Sequence, residues 1–209
     1  MDYFDLPQVS NSDLSWLKEH TSGKDVIGNK ERAYYVGNLT DAILTESDKI
    51  DFLKKTFNGH KIVDEDFEQT IKMRDAFLKD RFCRNILTLS SPQKIIIRDV
   101  EIEYQEIKFT LPMRCKYDLF MDTVEYGGDI KSTVCKTREE FETSIDFFDY
   151  DRQRAVYMTL AECDYDVLIG ISKNNFKIFK KFIKRDDETF IRGMNKFRYL
   201  AYKYYNLFY

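Results

Sequence analysis

The amino-acid sequence predicts an α/β fold with a helical N-terminal third. Residues 1–93 carry helix-like patterns of apolar side chains, whereas residues from about 94 to 134 alternate apolar and polar side chains, which is typical of half-buried strands. With 209 residues, of which 43% are hydrophobic and 15% aromatic, the chain can bury a core. We therefore expect one domain over residues 1–209, with a mostly helical part to residue 93, a core over 94–175 and a basic end over 176–209.

Three helices are predicted in the N-terminal third. The first begins near Asn11 or Ser12, either of which can cap a helix. The second covers 31–46 and the third 64–83, because apolar residues recur three or four positions apart in both. In the second helix the apolar face consists of Tyr35, Leu39, Ala42 and Ile43.

Three strands follow, at about 95–109, 111–122 and 125–134. Short turns would join them into an antiparallel meander. Gly127 and Gly128 are predicted to form the turn that leads into Asp129-Ile130-Lys131, since glycine is common in tight turns.

The rest of the chain continues the α/β pattern. Residues 137–163 are helical in pattern, with a break near Phe148, and residues 165–172 form the apolar run of a buried strand. Residues 175–184 alternate again and indicate an edge strand with solvent-facing lysines. A helix from residue 187 has an apolar seam, which either packs on its own sheet or supports self-association. The seam consists of Phe190, Met194, Phe197, Ala201, Tyr204 and Phe208.

Two carboxylates and a lysine provide the clearest chemical signal. Asp118 lies on one strand, and alternation places Asp129 and Lys131 on the same face of the next strand, with Ile130 towards the core. Because Mg²⁺ prefers oxygen ligands, the two carboxylates and the Ile130 carbonyl could hold it beside a scissile phosphate. Lys131 could then orient the attacking water and offset negative charge. Solvated surface carboxylates are the alternative interpretation.

Gln153 and Tyr157 form a second candidate pair. They are four residues apart and therefore share one helix face. They could line the same site and contact the phosphate or a metal-bound water. The alternative is an ordinary amphipathic helix that buries Ala155, Val156 and Leu160.

Other chemistry is less well supported by the sequence. The four cysteines have no zinc-site spacing, and we expect reduced thiols in or near the core. His20 and His60 lie in polar surroundings without an acid–base partner nearby in sequence, so we expect surface histidines. Carboxylate–metal chemistry is favoured by elimination.

Taken together, these motifs resemble the PD-(D/E)XK nucleases, and among them the RecE-like, phage-type exonucleases and the RecB nuclease domain. That family carries an Asp, then (D/E)-x-K on the next strand, then Q-x-x-x-Y on the following helix. The matching positions are Asp118, the tripeptide Asp129–Lys131, and Gln153 to Tyr157. The resemblance implies a restriction-endonuclease-like core of order α-β-β-β-α-β, with a mixed central sheet flanked by helices.

The resemblance also implies the ligands and the cofactor. A G-x-x-x-H or G-x-x-x-E motif of the family matches Gly37 to Asp41, so Asp41 is predicted to be a further metal ligand with a shorter reach. Glu106 on the first predicted strand is a reserve ligand, with a solvent-facing role as its alternative. The implied cofactor is Mg²⁺ or Mn²⁺. Some similar enzymes hold an iron–sulfur cluster, but no cysteine precedes Cys83 or follows Cys163, so no cluster is expected.

Charge and partners complete the prediction. The formal net charge is −3, yet residues 167–209 hold ten Lys/Arg and three Asp/Glu, which predicts a basic surface for DNA phosphates. Without a long apolar run or a secretory signal, we expect a cytoplasmic protein that does not enter membranes. The resemblance implies a homo-oligomer and a single-strand annealing protein as partners.

The sequence therefore predicts a Mg²⁺-dependent DNA exonuclease of phage-type recombination. Asp118, Asp129, Lys131, Gln153 and Tyr157 would be catalytic. A structure-specific endonuclease on the same core and a non-catalytic nucleic-acid-binding module are the alternatives.

Overall fold

The computed structural model describes residues 3–22, 30–46 and 64–209. After a short 3₁₀ turn at Tyr3–Asp5, the helices are α1 (Asn11–Ser22), α2 (Lys30–Thr45), α3 (Asp64–Lys79), α4 (Arg81–Leu89), α5 (Arg138–Phe147), α6 (Tyr150–Ala161) and α7 (Glu188–Phe208). The strands are β1 (Ser91–Tyr104), β2 (Ile107–Met121), β3 (Tyr126–Thr133), β4 (Tyr165–Ser172) and β5 (Ile178–Lys184).

The five strands form one mixed sheet in the order β1-β2-β3-β4-β5. Strands β1 to β3 are an antiparallel meander, β3 and β4 are parallel, and β4 and β5 are antiparallel. A parallel pair needs a long crossover, which α5 and α6 supply. Helices cover both sides of the sheet, and the predicted α/β fold with a mixed central sheet is confirmed.

Two cores lie on opposite faces of the sheet. On one face, α1, α6 and α7 pack against β1 and β2 through residues that include Leu14, Leu111, Met113, Val156 and Phe197. On the other face, α3 and α4 pack against β3 and β4 through residues that include Met73, Phe77, Ile86, Ile130 and Val167. All four cysteines are buried in these or neighbouring clusters.

The terminal helix joins the first core. Phe190, Phe197 and Ala201 are buried, so this part of the predicted apolar seam packs within the chain, whereas Phe208 is 54% exposed. Among the described helices, none is both long and apolar enough to span a membrane. His20 is exposed and stacks on Trp16, with ring centroids 4.2 Å apart, and His60 lies outside the described residues.

The first predicted strand is wrong at its C-terminal end. The run over 95–109 contains a hairpin turn at Gln105 and Glu106, and Tyr104 pairs with Ile107 across it. Both turn residues have positive φ angles, 48° and 68°, as a two-residue hairpin requires. The sequence hides this turn because neither residue is the glycine or asparagine that usually marks one.

The predicted third helix is also two helices. Asp80 ends α3 and caps α4, because its carboxylate accepts a hydrogen bond from the Cys83 N–H at 3.0 Å. Lys180 of β5 donates a further hydrogen bond to Asp80 at 2.6 Å. The helical spacing of apolar residues continues across the break, which is why the sequence indicated a single helix.

Gly127 and Gly128 do not form a turn. They lie inside β3, opposite Phe120 and Leu119 of β2, and the turn is formed by residues 122–125. A Cβ atom at position 127 would come within 2.3 Å of Tyr117 Cε1 and 2.6 Å of Asp166 Oδ2. Gly127 is therefore required by close packing rather than by a turn.

Gly127→Ala should destabilise the fold by about 1–3 kcal/mol, because the added methyl group overlaps a buried ring and a buried carboxylate. Urea unfolding would measure the loss. Gly37→Ala is the matched control. In the part of the chain that the structure describes, no atom lies within 4 Å of a Cβ at position 37, and a helical Gly→Ala change should stabilise the fold by up to about 1 kcal/mol. Equal stability of the two variants would contradict the packing role.

Candidate active site

Asp118 lies where β2 and β3 separate. The two strands pair only from Leu119 opposite Gly128 to Met121 opposite Tyr126. One residue before this ladder begins, Asp118 Oδ2 accepts a hydrogen bond from the Ile130 N–H at 2.8 Å. A side-chain oxygen of Asp118 thus takes the place of a main-chain acceptor beyond the end of the β2–β3 pairing, and this hydrogen bond connects Asp118 to β3.

Asp129 and Lys131 lie on one face of β3, while Ile130 is buried in the core of the other face. Lys131 Nζ forms an ion pair with Asp129 Oδ2. The Lys131 ammonium also lies 5.6 Å from the ring centroid of Tyr150. The structure therefore brings together Asp118, Asp129 and Lys131 as the sequence predicts.

The pKa values in this group are shifted because buried carboxylates lie close to one another and to Lys131. Burial, and then the charge of Asp129, raises the pKa of Asp118 to about 6. Burial alone would lower the pKa of Lys131, but the charges of Asp129 and Asp118 outweigh it and raise that pKa. Lys131 is consequently a fixed positive charge, suited to stabilising an anion.

Asp41 on α2 lies near this group without completing it. Desolvation of its carboxyl, and then the charge of Asp118, raises the pKa of Asp41 well above its usual range. However, in the part of the chain that the structure describes, no group of three or more His, Cys, Asp or Glu side chains is arranged to hold a metal ion. Asp41 is therefore coupled electrostatically to the two aspartates.

Gln153 and Tyr157 lie on α6, which crosses behind Asp129. Tyr157 is 7% exposed, and its ring lies edge-on to Tyr117 with centroids 5.1 Å apart. Oε1 of Gln153 is buried and accepts no hydrogen bond from the described residues. The inward residues of the amphipathic alternative, Ala155 and Val156 among them, are buried as well, so α6 serves both core and site.

Arg154 is the residue that sequence reasoning missed. It is 0% exposed, its Nη1 lies 2.7 Å from Asp129 Oδ1, and its Nε and Nη2 donate hydrogen bonds to the two oxygens of Asp166 at 3.0 Å each. A signal did exist in the sequence. Asp166 interrupts the apolar run of β4, and a carboxylate in a buried strand requires a partner.

Glu106 is not placed to be a reserve ligand. It lies at the exposed tip of the β1–β2 hairpin rather than on a strand. The β2 residues between this tip and Asp118 span more than about 30 Å at the rise of an extended strand.

The chain matches one family model over residues 9–207, described as a PDDEXK-like domain of unknown function (DUF3799). The chain belongs to this family. The predicted membership of the PD-(D/E)XK group is thereby confirmed. No curated protein matches the sequence.

Solved structures with similarity to this PDDEXK-like domain include three proteins described as exonucleases. A protein from Eubacterium rectale that is provisionally described as an exonuclease is 14% identical, with a TM-score of 0.62 over 89% of this chain and 70% of that one. A phage-related exonuclease from Haemophilus somnus 129PT is 14% identical with a TM-score of 0.43, covering 91% and 92% of the two chains. The alkaline exonuclease LHK-Exo from Laribacter hongkongensis is 13% identical with a TM-score of 0.41, covering 94% and 87%.

The donor set of the PDDEXK-like domain fits a small divalent cation. Mg²⁺ is usually held by one or two carboxylates together with waters, so Asp118, Asp129 and a main-chain carbonyl suffice. Asp129 Oδ2 is buried and accepts no hydrogen bond from the described residues, although Lys131 forms an ion pair with it. A cation at this position would also relieve the repulsion that raises the pKa of Asp118.

Proposed function

We propose that this PDDEXK-like domain is a Mg²⁺- or Mn²⁺-dependent deoxyribonuclease that acts as an exonuclease. One observation carries the proposal. At the point where β2 and β3 separate, the Ile130 N–H joins Asp118 to the strand that bears Asp129 and Lys131. Two carboxylates and a permanently charged ammonium in one largely buried corner are what phosphodiester hydrolysis requires.

Each residue has a distinct role in the proposed reaction. Asp118, Asp129 and the Ile130 carbonyl would hold the cation, which supplies a Lewis acid beside the scissile phosphate. Lys131 would stabilise the negative charge that develops on the phosphate as water attacks in line. Asp41 would act on the same cation through its charge or as an additional ligand.

Gln153 and Tyr157 have supporting roles in this proposal. The buried Gln153 Oε1 accepts no hydrogen bond from the residues that the structure describes, and it could bind a water at the site. Tyr157 packs 4.5 Å from the Arg154 guanidinium, so it would act through the arginine that contacts Asp129.

The surface beside the site suits a DNA strand. Among the described residues, no atom lies within 4 Å of a Cβ built at Gly37, one turn before Asp41 on α2. Phe147 is 77% exposed and Phe148 is 56% exposed, and the Phe148 ring lies next to the Tyr150 ring that contacts Lys131. Exposed aromatic rings stack on nucleobases without regard to sequence.

The predicted basic surface is smaller than the sequence suggests. Of the ten basic residues in 167–209, four form ion pairs with acidic side chains among the described residues, namely Lys180, Arg185, Arg192 and Lys196. DNA phosphates would therefore be bound by the other basic residues of this region, which include Lys177, Lys181, Lys184 and Lys203.

A role in DNA recombination, a single-strand annealing partner and a homo-oligomer are further parts of the proposal. They rest on the resemblance to phage-type exonucleases rather than on contacts in this structure. Light scattering of the purified protein would test the oligomer, and a monomer at high protein concentration would exclude it.

Digestion of labelled DNA tests the activity. Linear duplex labelled at its 5′ or 3′ end should be degraded in Mg²⁺, while covalently closed circular DNA should be spared, because an exonuclease needs an end. The order in which the two labels are released gives the polarity. EDTA should stop the reaction by removing the cation.

Asp118→Asn is the control for a contaminating nuclease, since it removes a ligand charge with little change of shape. The variant should fold as the parent does and fail to cleave. Cleavage of the closed circle would identify an endonuclease. Absence of cleavage together with absence of Mn²⁺ binding would favour a non-catalytic binding module.

A further inference from the structure

The carboxylate of Asp129 is held differently at its two oxygens. Arg154 Nη1 lies 2.7 Å from Oδ1, and Lys131 Nζ forms an ion pair with Oδ2. Asp129 itself is 2% exposed, so its surroundings are set by these neighbours.

The arginine contact is rigid. Arg154 is 0% exposed, and two parallel hydrogen bonds of 3.0 Å join it to Asp166 of β4, which is also 0% exposed. Its guanidinium carbon lies 5.0 Å from the ring centroid of Tyr117 and 4.5 Å from that of Tyr157. Because an arginine in this position stays charged, Oδ1 permanently faces a cation.

The lysine contact is more adaptable. The Lys131 side chain is 22% exposed and flexible, so it can withdraw from Oδ2 when a metal ion binds there. A metal ion could therefore take the place of Lys131 at the buried Oδ2, whereas Arg154 stays against Oδ1. Asp129 would then bind the ion through one oxygen rather than through both.

We propose that Arg154 is a positioning residue that makes this metal centre select Mg²⁺ or Mn²⁺ over Ca²⁺, by holding Asp129 Oδ1 and so preventing bidentate ligation. The inference rests on the proposed function, since it concerns the same cation site. Ca²⁺ takes six to eight oxygen ligands and often binds carboxylates through both oxygens, whereas Mg²⁺ keeps an octahedral shell with single oxygens and several waters.

Titration calorimetry with Mg²⁺, Mn²⁺ and Ca²⁺ tests the inference on the full chain. The test variant combines Arg154→Met with Asp166→Asn, so that no unpaired buried charge is left and the protein keeps its fold. Its ratio of Ca²⁺ to Mg²⁺ affinity should rise about tenfold above the parent value, a change at the lower end of the roughly 10- to 100-fold effects on metal affinity that follow removal of an orienting group.

Asp166→Asn alone is the matched control. It keeps Arg154 against Asp129 and should leave the affinity ratio unchanged. If Arg154 had only a structural role, the double variant would lose affinity for Mg²⁺ and Ca²⁺ together. A folded double variant with the parental ratio would overturn the inference and leave the nuclease proposal standing. A parent that binds none of the three ions would overturn both.

Discussion

Replacing Lys131 with alanine should lower the rate of DNA cleavage by about 100- to 1,000-fold while Mn²⁺ still binds. The Lys131 ammonium forms an ion pair with Asp129 and lies at the edge of the buried carboxylates, where a phosphate would meet it. Loss of the ammonium removes a charge that acts on the transition state, so the fall should be in kcat rather than in KM. Steady-state digestion of a linear duplex in Mg²⁺ measures it.

Lys136→Ala is the matched control, because Lys136 is exposed just beyond the end of β3. Its rate should stay near that of the parent. Calorimetry would show whether Lys131→Ala still binds Mn²⁺. If that variant kept full activity, Lys131 would have no part in the chemistry.

Arg154→Ala should destabilise the protein by about 3–5 kcal/mol. The substitution leaves Asp166 buried without its two hydrogen bonds and Asp129 without its guanidinium, and it opens a cavity between two tyrosine rings. Burying an uncompensated carboxylate is the main cost. The midpoint of urea unfolding, converted with the measured m-value, gives the loss.

Two variants separate this explanation from a general sensitivity to mutation. Arg198→Ala removes an exposed arginine of α7 and should change stability by less than about 0.5 kcal/mol. The double change Arg154→Met and Asp166→Asn removes both buried charges, so it should recover most of the stability lost in Arg154→Ala. A double variant as unstable as the single one would show that the ion pair is not the cause.

The sequence predicts much of the fold because most elements carry a local pattern. The apolar run of β4, the alternation in β5, the helical spacing in α2 and the break between α5 and α6 near Phe148 all appear in the structure. The errors occur where local pattern and local structure disagree. The hairpin at Gln105 has no glycine, and Gly127 is a packing residue that resembles a turn residue.

The candidate site likewise contains residues that the sequence predicts and an arrangement that it does not. Alternation along β3 suffices to put Asp129 and Lys131 on one face, and the motif order supplies Asp118. The distance and orientation of Asp41 could not be read from the sequence, because α2 is separated from the sheet by a long stretch of chain. Its charge reaches Asp118, but its carboxylate does not complete a three-residue ligand group in the described part of the chain.

By itself, then, the sequence determined the order of the elements and the residues of the D…D-x-K motif, since both depend on contacts between near neighbours. Only the tertiary structure decided how Asp129 is held. Arg154 reaches both Asp129 and Asp166 because the crossover through α5 and α6 sets β4 parallel to β3 and brings α6 against the sheet. Contacts made through such a crossover leave no periodicity in the sequence, and a buried arginine is recognised only once its partners are in place.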